Sequence, residues 1–178
     1  DWTAAGGFVQ KLGATPAPAL NSLEIIFHRD YRVDDGRYNN NGWLQELPDP
    51  ITKLTWENAI LVSPKTAKDL GILSKDIKET GRLAGQVVKV EFSGRALQGP
   101  AWIQPGLADN VIALSLGYGR AKTGRVGHGS GYNAYGLRTT EALHFGVGAK
   151  VFPTPKFQTL SCTQSHWAME GRPIIREA

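Results

Sequence analysis

Six glycines fall in the fifteen residues from Gly117 to Gly131 (GYGRAKTGRVGHGSG), with Arg120, Lys122 and Arg125 among them. Glycine lets backbone N–H groups approach a ligand closely, and interspersed cations suit phosphate. No other stretch of the chain combines these properties. Two standard nucleotide labels fail on residue identity. Gly119 to Val126 has the two-glycine spacing of a P-loop, but lacks the Lys for the terminal phosphates and the Ser or Thr for magnesium. Gly129, Gly131 and Ala134 satisfy G-x-G-x-x-A, yet they follow a loop instead of a strand. The competing reading is a surface loop that binds nothing, since long loops are either functional or unstructured.

A second polar segment reads Asn39-Asn40-Asn41-Gly42-Trp43-Leu44-Gln45-Glu46-Leu47-Pro48. Consecutive amides offer donors and acceptors, and Trp43 offers an apolar plate, so the segment suits a polar planar ligand such as a purine or pterin. Asn-driven turn chemistry around a packed Trp accounts for the same residues. Metal binding finds weaker support. His28, His128, His144 and His166 are scattered, and the Cys162/His166 pair falls short of the four paired ligands of a zinc site. A nucleophilic Cys162 needs a basic partner in space that sequence does not supply. Glu46, Asp49 and Glu57 read as solvated loop carboxylates, so nothing points to self-contained catalysis.

The elements that must hold these segments are mostly strands. Leu23–His28, Ala59–Val62, Gln86–Phe92, Ala96–Gln104 and Val111–Leu116 read as strands, with a Ser93-Gly94-Arg95 turn between the third and fourth. Ala142–Val147 and Lys156–Leu160 are expected to be two more. Ser63 to Gly71 predicts one short helix, with Ser63 as N-cap, Pro64 at the first position and Gly71 as the left-handed stop. The segment from Arg29 to Pro50 is too long for an idle connection and is expected to be functional or packed on the barrel it crosses. Few helices and no βαβ alternation favour a closed β-barrel over a doubly wound sheet.

At 178 residues, 41% hydrophobic and 20% charged, the chain is expected to form one domain with a real core. Its net charge of +4 is spread along the sequence, which does not resemble a nucleic-acid footprint and fits a small anion better. No apolar run is long enough to span a bilayer. The chain starts at Asp1 and holds one Met, as an excised piece of a longer protein would. Residues 1–22 read as a lead-in, 23–160 as the barrel domain and 161–178 as an extension towards a following domain.

Three ordered matches resemble the molybdopterin-dinucleotide-binding domain of the dimethylsulfoxide reductase superfamily. They are Asn40-Asn41-Gly42-Trp43-Leu44-Gln45-Glu46-Leu47, then Pro64-Lys65-Thr66-Ala67-Lys68-Asp69-Leu70-Gly71-Ile72, then the strand pair leading into Leu116-Gly117-Tyr118-Gly119. Gly131 to Leu137 is similar to that family's Gly-x-Asn-x-x-x-Leu loop, and the similarity covers roughly residues 23–145. The resemblance implies a mainly β fold: a six-stranded double-psi β-barrel of the aspartate-decarboxylase-like type with a few short helices. The wording NNGWLQELPDPITKLTWENAILVSPKTAKDLGI and the ending HWAMEGRPIIREA are similar to the large iron–sulfur subunit of bacterial alternative complex III, a membrane-bound quinol oxidoreductase.

Two functions follow from the resemblance. One is a structural barrel with an empty cofactor site, helping to assemble an electron-transfer subunit. The other is a working domain for the guanine end of molybdopterin guanine dinucleotide. In the second, Asn40, Asn41, Gly117, Gly119 and Asn133 would face the ligand beside Trp43, with Arg120 or Lys122 on phosphate. The implied partners are other domains of the same subunit and neighbouring respiratory subunits, without nucleic acid or direct membrane insertion. The implied location is bacterial, on the periplasmic side of a membrane-bound complex.

Overall fold

The computed structural model describes residues 6–7, 16–77 and 82–163, and the side chains of 74–77 and 82–83 are not considered. His166, the ending 166–178 and most of the lead-in lie outside the described residues. Strands β1 (Leu23–His28), β2 (Ile60–Val62), β3 (Ser74–Ile77), β4 (Arg82–Phe92), β5 (Arg95–Ile103), β6 (Val111–Ser115) and β7 (Phe145–Leu160) form one mixed sheet. Helices α1 (Gly42–Glu46) and α2 (Pro64–Leu70) and a 3-10 turn at Ala134–Leu137 complete it.

The sheet closes on itself. Its order is β3-β4-β5-β2-β6-β1-β7, and a further β4–β7 ladder joins the ends, so six strands make a ring with β3 appended. The β1–β6 and β2–β5 pairs are parallel, and the other ring pairs are antiparallel. Exchanging β6 with β2, β1 with β5 and β7 with β4 reproduces every one of these relations. The pairing pattern therefore carries an internal two-fold repeat that the sequence does not display.

Period-2 alternation explains the interior. In β1, Leu23, Ile25 and Phe27 are buried and point inward, while all five residues of β6 are buried. Ile60 and Val62 of β2, and Val88, Val90 and Phe92 of β4, fill the same core. Each such side chain contributes about 1.5–3 kcal/mol relative to an exposed one. The Phe27 and Phe92 rings meet tilted, 6.4 Å between centroids. Helix α2 has the expected ends: Ser63 Oγ accepts from Thr66 N at 3.1 Å, and Gly71 takes φ +70°.

One expectation is corrected. Residues 142–147 and 156–160 are not two strands. A single strand, β7, runs from Phe145 to Leu160 and passes through Pro153 and Pro155. The prolines are tolerated because the β4–β7 register shifts between Gln86 and Val88, where the ladder needs fewer N–H donors. Side chains repair the gap: Thr154 Oγ1 donates to Val87 O, and Gln86 Nε2 donates to Thr154 O, both at 2.7 Å. Among the described residues, no helix is long and apolar enough to cross a membrane.

Candidate functional site

β6 delivers the chain from Ser115 into the glycine tract, and β1 delivers it from His28 into the segment that ends at α1. Because β1 and β6 are parallel neighbours, both loops leave the same end of the barrel. They then bind each other. Asn39, 1% exposed, donates from Nδ2 to Gly117 O at 3.0 Å. Asn40 Oδ1 accepts from Val126 N at 3.1 Å and Gly127 N at 3.3 Å. Arg120 Nη1 donates to Gly36 O at 2.6 Å.

The glycines make this contact possible. Gly117 has φ +100°, and a Cβ there would lie 2.8 Å from Gly36 N. At Gly119, φ +68°, a Cβ would lie 2.2 Å from Asn133 N. Gly124 lies flat on the Asn40 amide, where a Cβ would reach 2.0 Å from Nδ2. The tract is thus a strap whose backbone is pressed against the 34–41 segment and the 130–133 turn.

The remaining sequence candidates fall around the strap. Asn41 is the N-cap of α1, its Oδ1 accepting from Trp43 N at 3.1 Å. Trp43 stands on α1 with 85% of its surface exposed. Asn133 caps the 3-10 turn, accepting from Tyr135 N at 3.1 Å. Lys122 and Arg125 are exposed, and among the described residues neither forms an ion pair. His28, His128 and His144 are not part of any three-residue group suited to a metal ion among the described residues.

Beneath the strap lies a buried polar layer. Arg32, 4% exposed, pairs through Nε with Asp30 at 3.3 Å and donates to the carbonyls of Leu54 (2.9 Å) and Glu57 (3.3 Å). Its guanidinium also sits 5.5 Å from the Tyr118 ring centroid. Burial pushes the Tyr118 hydroxyl well above its ordinary range, and the Asp30 charge adds to this. Burial likewise raises the Glu57 carboxyl, against an opposing hydrogen bond from Gln158 Nε2 at 2.6 Å. On the open rim, Arg37 beside Asp35 holds that carboxyl well below the usual carboxylate range.

Asn58 is a residue that sequence reasoning did not single out. It is 2% exposed, donates to Ser115 O (3.0 Å) and Tyr132 O (3.1 Å), and accepts from Tyr132 N at 2.9 Å. It fastens the far end of the strap to the end of β6. Nothing in the run Trp56-Glu57-Asn58 marks it. Gly36 also went unmarked, although Asp35-Gly36 is a turn signal that would have located it.

No family model and no curated protein matches this sequence. Among solved structures, the chain is similar to acetylene hydratase from Pelobacter acetylenicus, with 17% identity and a TM-score of 0.51. The match covers 74% of this chain and 18% of that one. Similarity at that identity is similarity of fold. It spans a small part of the neighbour's length.

Proposed function

We propose that this chain is the barrel module of a molybdopterin-oxidoreductase-like iron–sulfur subunit in a respiratory quinol oxidoreductase complex. In this reading its role is structural and its cofactor site is vestigial. The structural neighbour is a molybdopterin enzyme of the dimethylsulfoxide reductase superfamily, which supports the superfamily resemblance read from Asn40–Leu47, Pro64–Ile72 and Leu116–Gly119. The double-psi connectivity belongs to the same proposal. Two parallel pairs related by the internal exchange of strands support it.

The observation that carries the vestigial reading is the inward use of the polar groups. A dinucleotide held at this barrel end would need the Asn40 and Asn133 amides, the Arg120 guanidinium and close approach to Gly117 and Gly119. Here Asn40 Oδ1 serves Val126 and Gly127, Asn133 Oδ1 serves Tyr135, and Arg120 serves Gly36. Gly117 and Gly119 have their open faces filled by backbone. These internal bonds support a vestigial site, and no chemical step is assigned to a dinucleotide. What remains is a rigid end-plate for neighbouring domains of the subunit and adjoining subunits of a peripheral, periplasm-facing assembly.

Titration of this chain with GDP, followed by amide NMR, tests the reading. Resonances of Asn40, Gly117, Gly119 and Asn133 are expected to stay in place at millimolar ligand. Saturable movement of these four together would restore the alternative, a functional site for the guanine end of molybdopterin guanine dinucleotide.

A further inference from the structure

The N–H groups of Val126 and Gly127 are adjacent in the chain and converge on one oxygen, Asn40 Oδ1, at 3.1 and 3.3 Å. Two consecutive main-chain donors aimed at a single acceptor form the kind of concavity that binds oxyanions. The acceptor here is a neutral amide, exposed, and contributed by a residue 86 positions away from Val126. Around the donors the composition favours negative charge: Lys122 and Arg125 are exposed, and no acidic residue occurs between Gly117 and Gly131. A neutral carbonyl oxygen is a weaker acceptor for such donors than a charged one, because charge-assisted bonds are roughly twice as strong.

We infer that the Val126 and Gly127 N–H pair is an oxyanion site whose place is taken by the side chain of Asn40. The ligand class is a phosphate-type oxyanion, either free or as the terminal group of a small phosphate ester. Asn40 competes for the donors intramolecularly, so the native chain binds such ions weakly and removal of its carboxamide opens the site. Gly124 is part of the device. With no side chain it lets the Asn40 amide lie over the tract, where a Cβ would come within 2.3 Å of both Asn40 Oδ1 and Cγ. The inference concerns only the local donors and does not depend on which subunit the barrel belongs to.

The test uses the full chain, native and as Asn40→Gly and Asn40→Asp, with the amide resonances of Val126 and Gly127 as the readout. Each is titrated with inorganic phosphate, with glycerol 3-phosphate, and with chloride at matched ionic strength. Asn40→Gly is expected to show saturable movement of both amides with phosphate or its ester, at least about tenfold tighter than the native chain. Asn40→Asp places its own carboxylate against the donors, so both amides are expected to move downfield and ignore added phosphate. This arm holds even if the glycine variant folds poorly. An Asn40→Gly response no larger than that to chloride, or an Asn40→Asp chain that still responds to phosphate, would overturn the assignment. Because the probes lack guanine, failure here leaves the GDP result, and the structural reading above, untouched.

Discussion

The side-chain amide of Asn39 donates to the main-chain carbonyl of Gly117 at 3.0 Å, joining positions 78 apart in the chain. Gln45 Nε2 in turn donates to Asn39 O at 2.9 Å, so the start of the glycine strap is fixed to α1 through two buried amides. Both amides face a carbonyl oxygen, which sets their orientation: each must present nitrogen there. The strap is thereby pinned from below at Asn39 and from above at Asn40.

Asn39→Ala is expected to destabilise the chain by about 2–3 kcal/mol, because a buried carbonyl loses its donor along with the bond itself. Asn39→Asp should cost more, since a buried carboxylate would then face the Gly117 oxygen. Urea unfolding of the three chains measures both; an Asn39→Asp chain as stable as the native would show that Gly117 O finds another donor.

Tyr132 gives the opposite sign. Its ring lies against Gly99, where a Cβ would sit 2.5 Å from Cδ1, and its buried hydroxyl has no hydrogen-bond partner among the described residues. Tyr132→Phe is expected to leave stability unchanged or raise it by about 1 kcal/mol, because an unsatisfied buried hydroxyl costs about 1–3 kcal/mol. Tyr132→Ala should cost about 3–5 kcal/mol through the cavity it leaves. Thermal unfolding distinguishes them, and a destabilised Phe variant would reveal a partner for the hydroxyl.

Arg32 and Asp30 anchor the layer beneath the strap. Arg32→Met strands the Asp30 carboxylate at 6% exposure and removes donors from Leu54 O and Glu57 O, so a loss of about 3–5 kcal/mol is expected. Asp30 also accepts from Arg32 N at 2.8 Å and Val33 N at 3.0 Å, so an accompanying Asp30→Leu is not expected to restore native stability. Denaturation midpoints of the single and double variants check this. Full rescue by the second substitution would mean that only the charge pair mattered.

Glu57 supplies a pH dependence. Its folded carboxyl is raised above the ordinary 4.5 by desolvation, so the folded state holds its proton more tightly than the unfolded state. The sign follows from proton linkage: its contribution is favourable at low pH and is lost as pH rises from about 4.5 through the raised folded value. Other carboxyls, such as Asp35, act in the opposite direction. The comparison is therefore native minus Glu57→Gln between pH 4 and 7, in which the variant should gain on the native chain as pH rises. A difference independent of pH would place Glu57 in contact with water throughout.

Much of the barrel was legible because local rules govern it. β1 runs over Leu23–His28 by alternation, and α2 begins after Ser63 and stops at Gly71 for capping reasons that need no tertiary context. β7 was not legible as one strand. Pro153 and Pro155 read as breakers, and only the shifted β4 ladder explains why they are tolerated. The strap and the Asn39–Trp43 segment were each identifiable as polar and turn-rich. That they bind each other depends on the parallel pairing of β1 with β6, a long-range choice. The division of labour among neighbouring asparagines is equally non-local: Asn39 is buried and Asn40 exposed, and no periodic signal separates them.

Molybdenum and tungsten analysis of the purified full-length protein, with pterin fluorescence and iron measured on the same sample, tests the proposed function most directly. The proposed iron–sulfur subunit with a vestigial site predicts iron in the preparation, with pterin, molybdenum and tungsten far below one equivalent. Pterin together with stoichiometric molybdenum or tungsten would contradict it, and would require Asn40, Asn133 and Arg120 to release their internal partners when the cofactor binds.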